Sequence, residues 1–174
     1  MSTDVGPVID QEAFDNIQRQ IDRLSKEAVV VVKPDASAQT GAKHLIAHHA
    51  FEVKRIADVK AEIFGPVLQI VRWTGDPAQV VEEINALGYG LTFGIQTRID
   101  SRANALAHAA HIGNVYVNRN MIGAVVGVQP FGGEGLSGTG PKAGGPHYLY
   151  RFCAEQTVTV NTTAAGGNAA LLAR

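Results

Sequence analysis

The sequence predicts an α/β fold built on a parallel sheet. Three observations carry that reading. Short β-branched runs alternate with segments of helical apolar period, joined by brief polar connections, as in a sheet covered by helices. Asp76-Pro77-Ala78-Gln79 combines a capping Asp, a first-position Pro and a Gln at the third position, the signature of a helix start. Gly113 to Gly145 holds ten of the chain's 19 glycines and only three charges, Arg119, Glu134 and Lys142. Its Met121-Ile122 and Val125-Val126 pairs and Phe131 set it apart from a flexible linker, so it reads as an ordered loop that uses glycine for positive φ or close approach.

In order, Asp10 caps a first helix whose Phe14, Ile17, Ile21 and Leu24 recur at helical spacing. Ala28 to Val32 is a β-branched run closed by Lys33-Pro34, which reads as a strand, and Asp35 to Gly41 reads as a polar turn. Lys43 to Val59 matches neither period, and no element is assigned there. Val67 to Trp73 is a strand begun by Pro66. The helix capped by Asp76 buries Val80, Val81, Ile84 and Leu87 and stops at Gly88. Leu91 to Thr97 is a strand, and Asp100 opens a helix with Ala103, Leu106, Ala107 and Ala110 on its inner stripe. Val115 to Val117 is a strand that feeds the glycine-rich loop, at the carboxyl end where parallel sheets bind ligands. His147 to Ala154 reads as a short helix, Thr157 to Asn161 alternates as a strand does, and Thr162 to Arg174 reads as a frayed tail.

Composition narrows the function classes. The 174 residues are 45% hydrophobic and 18% charged, a globular balance with room for one sizeable core. A net charge of -1 without a basic cluster argues against nucleic acid. No apolar run is long enough for a membrane span, and the N-terminus lacks a secretion signal, so a cytoplasmic protein is expected. His44 and His48 lie four apart, but two histidines make no zinc site, and surface histidines are the plainer reading; no metal is expected. Cys153, the only thiol, reads as buried and inert in Tyr150-Arg-Phe-Cys-Ala, with Arg151 leaving a reactive thiol as the alternative. Gly133-Glu-Gly135-Leu-Ser-Gly138 fits a dinucleotide fingerprint by count only, since neither the preceding strand nor the following helix is present. From the residues alone, Glu62 is a surface acid ahead of a strand and Phe131 a core anchor. No catalytic residue is identified.

Glu62-Ile-Phe-Gly-Pro-Val67 resembles a signature of the NAD(P)-dependent aldehyde dehydrogenase superfamily. Gly113-Asn-Val-Tyr-Val-Asn118, Gly123-Ala-Val-Val-Gly-Val-Gln-Pro-Phe-Gly-Gly133 and Ser137-Gly-Thr139 resemble L-glutamate γ-semialdehyde (Δ1-pyrroline-5-carboxylate) dehydrogenases. Gly140 to Pro146 and Thr157 to Gly167 are most similar to the bifunctional proline-utilisation flavoproteins. The resemblance implies an NAD-dependent oxidation of L-glutamate γ-semialdehyde to L-glutamate. It implies that Glu62 accepts hydrogen bonds from the nicotinamide ribose and that Phe64 lies beside the nicotinamide. It further implies that Gly123 and Ala124 hold the substrate's carboxylate through backbone N–H groups, and that Phe131 walls its aliphatic chain.

In that family the nucleophilic cysteine, the general base and the cofactor domain precede the motif at Glu62. This chain has 61 residues before Glu62 and no cysteine among them. It is therefore expected to be about the last third of such an enzyme, from a truncated or split gene. Residues 1–146 would be a partial catalytic domain, and 147–174 a C-terminal helix, oligomerisation strand and tail. Its partners would be the upstream remainder of the enzyme or a homologous subunit in a homo-oligomer. The alternative is a non-catalytic remnant that binds a small carboxylate or a partner subunit.

Overall fold

A computed structural model of the chain describes residues 5–34, 43–125 and 127–161. Helix α1, Gln11–Glu27, starts where Asp10 accepts the Ala13 N–H at 2.8 Å, satisfying a first-turn donor that the helix cannot. Its buried stripe is Ile17, Ile21 and Leu24. That stripe packs with Ile46, Phe51 and Val53 into one core, flanked by Phe14, Ile63, Val67 and Val71. Beneath α1 run strands β1, Val29–Val32; β2, His49–Val53; and β3, Val67–Val71, in the order β1-β2-β3.

The second unit carries helices α2, Pro77–Ala86, and α3, Asp100–Ala109. Asp76 caps α2 as expected, accepting the Ala78 N–H at 2.9 Å. Strands β5, Thr92–Ile95, and β6, Asn114–Val117, pair in parallel. Val81, Ala103, Ile95 and Tyr116 are the buried residues of these four elements' apolar faces. A two-residue strand β4, Tyr89–Gly90, pairs antiparallel with β7, Glu134–Gly135, and so brings the glycine-rich loop back to the end of α2.

The expectation of a parallel sheet is corrected to a mixed arrangement. β2 and β3 are parallel, as are β5 and β6, but β1 runs antiparallel to β2 and β4 antiparallel to β7. Strand β2 falls in the stretch to which no element was assigned. It is the middle strand of its sheet, with Ala50, Phe51 and Val53 all buried, so the alternation that marks a one-sided strand is lost. His44 and His48 lie outside any helix, and His49 begins β2. The segment at His147 is a 3-10 helix, Tyr148–Phe152. Thr157 to Asn161 forms no strand within the chain. The turn at Asp35 to Gly41 and the tail beyond Asn161 lie outside the described residues. No helix among the described residues is long and apolar enough to cross a membrane.

Candidate functional site

Two places gather the residues singled out from the sequence. The first is a groove between α1 and the segment that leads into β3. Glu62, Ile63 and Phe64 form one wall; Ala13, Asn16, Ile17 and Gln20 of α1 form the other, around a cavity of about 350 Å³. The segment is held in tight turns by Gly65 N–H to the Ile63 carbonyl at 2.8 Å and Val67 N–H to the Gly65 carbonyl at 2.8 Å. Glu62 is exposed and makes no ion pair among the described residues. Phe64 is 80% exposed, a large apolar ring facing out. An unpaired acceptor-only carboxylate beside a free aromatic face, with two amides opposite, suits a ligand that offers hydroxyl donors and a flat ring.

The second place is the loop after β6. Asn114, buried at the start of β6, donates from Nδ2 to the Pro130 carbonyl at 3.0 Å and accepts the Gly132 N–H on Oδ1 at 3.1 Å. Phe131, between those two points, is half-buried and exchanges paired backbone bonds with Ala143 at 3.0 and 2.9 Å. Lys142 donates from Nζ to the Gly113 carbonyl. Gly113 admits no side chain, because a Cβ there would collide with the Gly132 carbonyl oxygen. Ser137 accepts the Gly90 N–H on Oγ at 3.0 Å, and Arg151 donates to the Gly140 carbonyl and to Thr139 Oγ1. The loop is thus ordered by side chains reaching its backbone, with no helix opening at Gly133 to Gly138.

Gly123 and Ala124 sit at the far side of this loop. Gly123 has φ 64°, the left-handed region that glycine enters without a steric penalty, and a Cβ there would meet nothing within 4 Å. The position needs glycine for its backbone, not for space. Neither the Gly123 N–H nor the Ala124 N–H has an acceptor among the described residues. Two unpaired N–H groups, adjacent in a charge-poor loop, are the kind of group that donates to anions.

The groove joins Glu62 and Phe64 to each other, and the loop joins Gly123, Ala124 and Phe131 on one irregular segment. None of the described cavities contains residues of both sets. Cys153 corrects an expectation: it is exposed, with Sγ donating to the Leu149 carbonyl at 3.4 Å. His44 keeps a buried Nε2 without a partner, and no group of three His, Cys, Asp or Glu that could hold a metal occurs among the described residues.

Reading by apolar pattern alone overlooked Asn114, Tyr116 and Asn118. Asn114 and Tyr116, two apart, share one face of β6, Asn118 follows the strand's end at φ 55°, and each reaches a loop backbone. That polar alternation, in a run otherwise read as Val115 to Val117, was the signal available.

A family model described as the aldehyde dehydrogenase family matches residues 1–158. The chain belongs to the aldehyde dehydrogenase family. It is 50% identical over 172 residues to the bifunctional protein PutA of Salmonella typhimurium, covering 94% of this chain and 13% of that protein. It is 36% identical over 162 residues to a 1-pyrroline-5-carboxylate dehydrogenase of Halalkalibacterium halodurans, covering 89% of this chain and 30% of that enzyme. A solved structure of a Thermus 1-pyrroline-5-carboxylate dehydrogenase with bound NAD superposes with a TM-score of 0.76 at 36% identity, over 84% of this chain and 28% of that one. A structure of Bradyrhizobium japonicum proline utilization A gives a TM-score of 0.83 at 50% identity, over 93% of this chain and 16% of that one. This aldehyde dehydrogenase chain therefore spans less than a third of the length of these relatives.

Proposed function

We propose that this chain is the substrate-anchoring segment of an NAD-dependent L-glutamate γ-semialdehyde dehydrogenase of proline catabolism. The observation that carries the reading is the pair of unpaired N–H groups at Gly123 and Ala124, in a loop tied to β6 and β4. They would hold the carboxylate of the semialdehyde and of the glutamate product. Phe131, fixed between the two Asn114 bonds, would cover the aliphatic chain and keep water from it. The names of the relatives, proline utilization A and 1-pyrroline-5-carboxylate dehydrogenase, support that substrate.

The groove fits the nicotinamide riboside end of NAD. Glu62 would accept from the ribose hydroxyls, Phe64 would flank the ring, and Asn16 and Gln20 close the opposite side. NAD held there would supply the hydride acceptor for the oxidation. The chain's own residues contribute position: a fixed carboxylate fixes the other end of a five-carbon substrate.

A nucleophile and base are not supplied by these residues. Cys153 is exposed at the end of a 3-10 helix, bonded to a backbone carbonyl and without a base in contact. The reading accordingly makes the chain inactive by itself, a cytoplasmic part of a larger homo-oligomeric enzyme that needs the remainder of the family's fold. The exposed edge strand β1, four valines between 42% and 66% exposed, supports such a covering partner.

The test is an isothermal titration of the chain with L-glutamate against one carrying Ala124→Pro, which deletes a single donor. The reading expects weak, saturable binding that the variant loses. Equal heats in both chains would count against it.

A further inference from the structure

The aim of the anchor has a visible cause. Tyr116, the third residue of β6, is only 6% exposed, and its hydroxyl donates to the Gly123 carbonyl at 3.1 Å. The Gly123–Ala124 peptide is trans, the one cis bond among the described residues being Gly140–Pro141. In a trans peptide the carbonyl and the following N–H point in opposite directions across one rigid plane. A carbonyl drawn inward to a buried phenol therefore turns the Ala124 N–H outward. The rotations that turn this plane are ψ at Gly123 and φ at Ala124, and a glycine at φ 64° leaves the first of them wide, so without the phenol either edge of the plane could face the ligand. The phenol itself is held: the Arg119 guanidinium lies 4.9 Å from its ring centroid, and the Arg119 carbonyl accepts from Gln96 Nε2 at 3.1 Å.

We infer that Tyr116 is a positioning residue for carboxylate binding: its hydroxyl, by holding the Gly123 carbonyl, aims the Ala124 N–H at the ligand. This inference rests on the carboxylate reading of the loop. Tyr116 touches no substrate atom in this account; it acts through one peptide plane. A phenylalanine would keep the packing against Arg119 and lose only the aim.

The experiment is an amide and carbonyl NMR titration of the labelled 174-residue chain with L-glutamate, with sodium chloride at matched ionic strength as control. In the wild-type chain the Gly123 and Ala124 amides move saturably with glutamate and not with chloride. Tyr116→Phe weakens that binding about five- to tenfold, the worth of one hydrogen bond. It also displaces the Gly123 carbonyl carbon resonance, while the exchange protection of Phe131 and Ala143, pinned elsewhere, stays as it was. A loop that had merely loosened would lose that protection too. Should Tyr116→Phe fail to fold, the wild-type chain reads the same bond, because a phenol held by the Gly123 carbonyl keeps its hydroxyl proton in slow exchange and shows a cross-peak from that proton to the Gly123–Ala124 peptide. Unchanged affinity in Tyr116→Phe, or a Gly123 carbonyl indifferent to the phenol, overturns the inference and leaves the carboxylate reading standing. A wild-type chain whose Ala124 amide ignores glutamate overturns both.

Discussion

Replacing Asn114 by alanine should unfasten the substrate loop and cost measurable stability. Its amide spans two loop residues, donating to the Pro130 carbonyl at 3.0 Å and accepting from Gly132 at 3.1 Å, from a buried position. Truncation removes both bonds and leaves two half-buried backbone groups to find water. At about 1–2 kcal/mol each, the loss is about 2–4 kcal/mol. For a chain of this length that lowers Tm by roughly 5–15 °C, measured by thermal melting and checked by urea midpoint at constant slope. Asn118 provides the control. It too makes two bonds, to the Thr97 N–H and carbonyl at 2.9 and 2.8 Å, but from an exposed position where water replaces them, so Asn118→Gly, which suits its φ of 55°, should cost clearly less. An Asn114→Ala loss under about 0.5 kcal/mol, or one no larger than that of Asn118→Gly, would refute the claim that Asn114 orders the loop.

Three further outcomes are expected. In a complete enzyme carrying this loop, Ala124→Pro should weaken glutamate inhibition by about 1–3 kcal/mol, read as the inhibition constant; an unchanged constant would contradict the anchor. The chain by itself should dimerise or aggregate at high micromolar concentration, because Val158 and Val160 are 73% and 70% exposed and β1 presents a valine edge strand of its own; a clean monomer in sedimentation would argue against the pairing. The hydrogen bond from Arg55 holds the Asp58 carboxyl below its usual range, so that pair stabilises the fold above the unfolded carboxyl's titration and the contribution fades as pH falls through the folded value. The Tm gap between wild type and Asp58→Asn should shrink on acidification, and a gap constant from neutral to strongly acid pH would contradict it.

What could be read from the chain was decided by how each element is buried. Helices α1 and α2 were legible because one face is apolar and Asp10 and Asp76 sit at their caps. Strand β2 was not, since a middle strand covered on both faces shows no alternation and here carries His49 and Glu52. The mixed strand directions were equally hidden, because the run of valines in β1 carries no mark of the direction in which it pairs with β2. Glycine density marked the loop, but its order comes from Asn114, Ser137, Lys142 and Arg151, whose partners lie up to 47 residues away. Cys153 was misjudged because an apolar-aromatic neighbourhood in sequence implied burial, whereas Leu149, Tyr150 and Phe152 are themselves exposed in this chain.

The central claim is that the chain anchors a carboxylate and a nicotinamide ribose but supplies no nucleophile. NADH formation from L-glutamate γ-semialdehyde by the purified chain tests it most directly. Contacts from Glu62 alone are worth about 1.5–3 kcal/mol, short of the roughly 4 that even millimolar NAD binding requires. The account predicts no NADH from the chain alone, and turnover only when the same residues are joined to the rest of an aldehyde dehydrogenase. Turnover by the isolated chain that vanishes in Cys153→Ser would contradict it and make Cys153 the nucleophile.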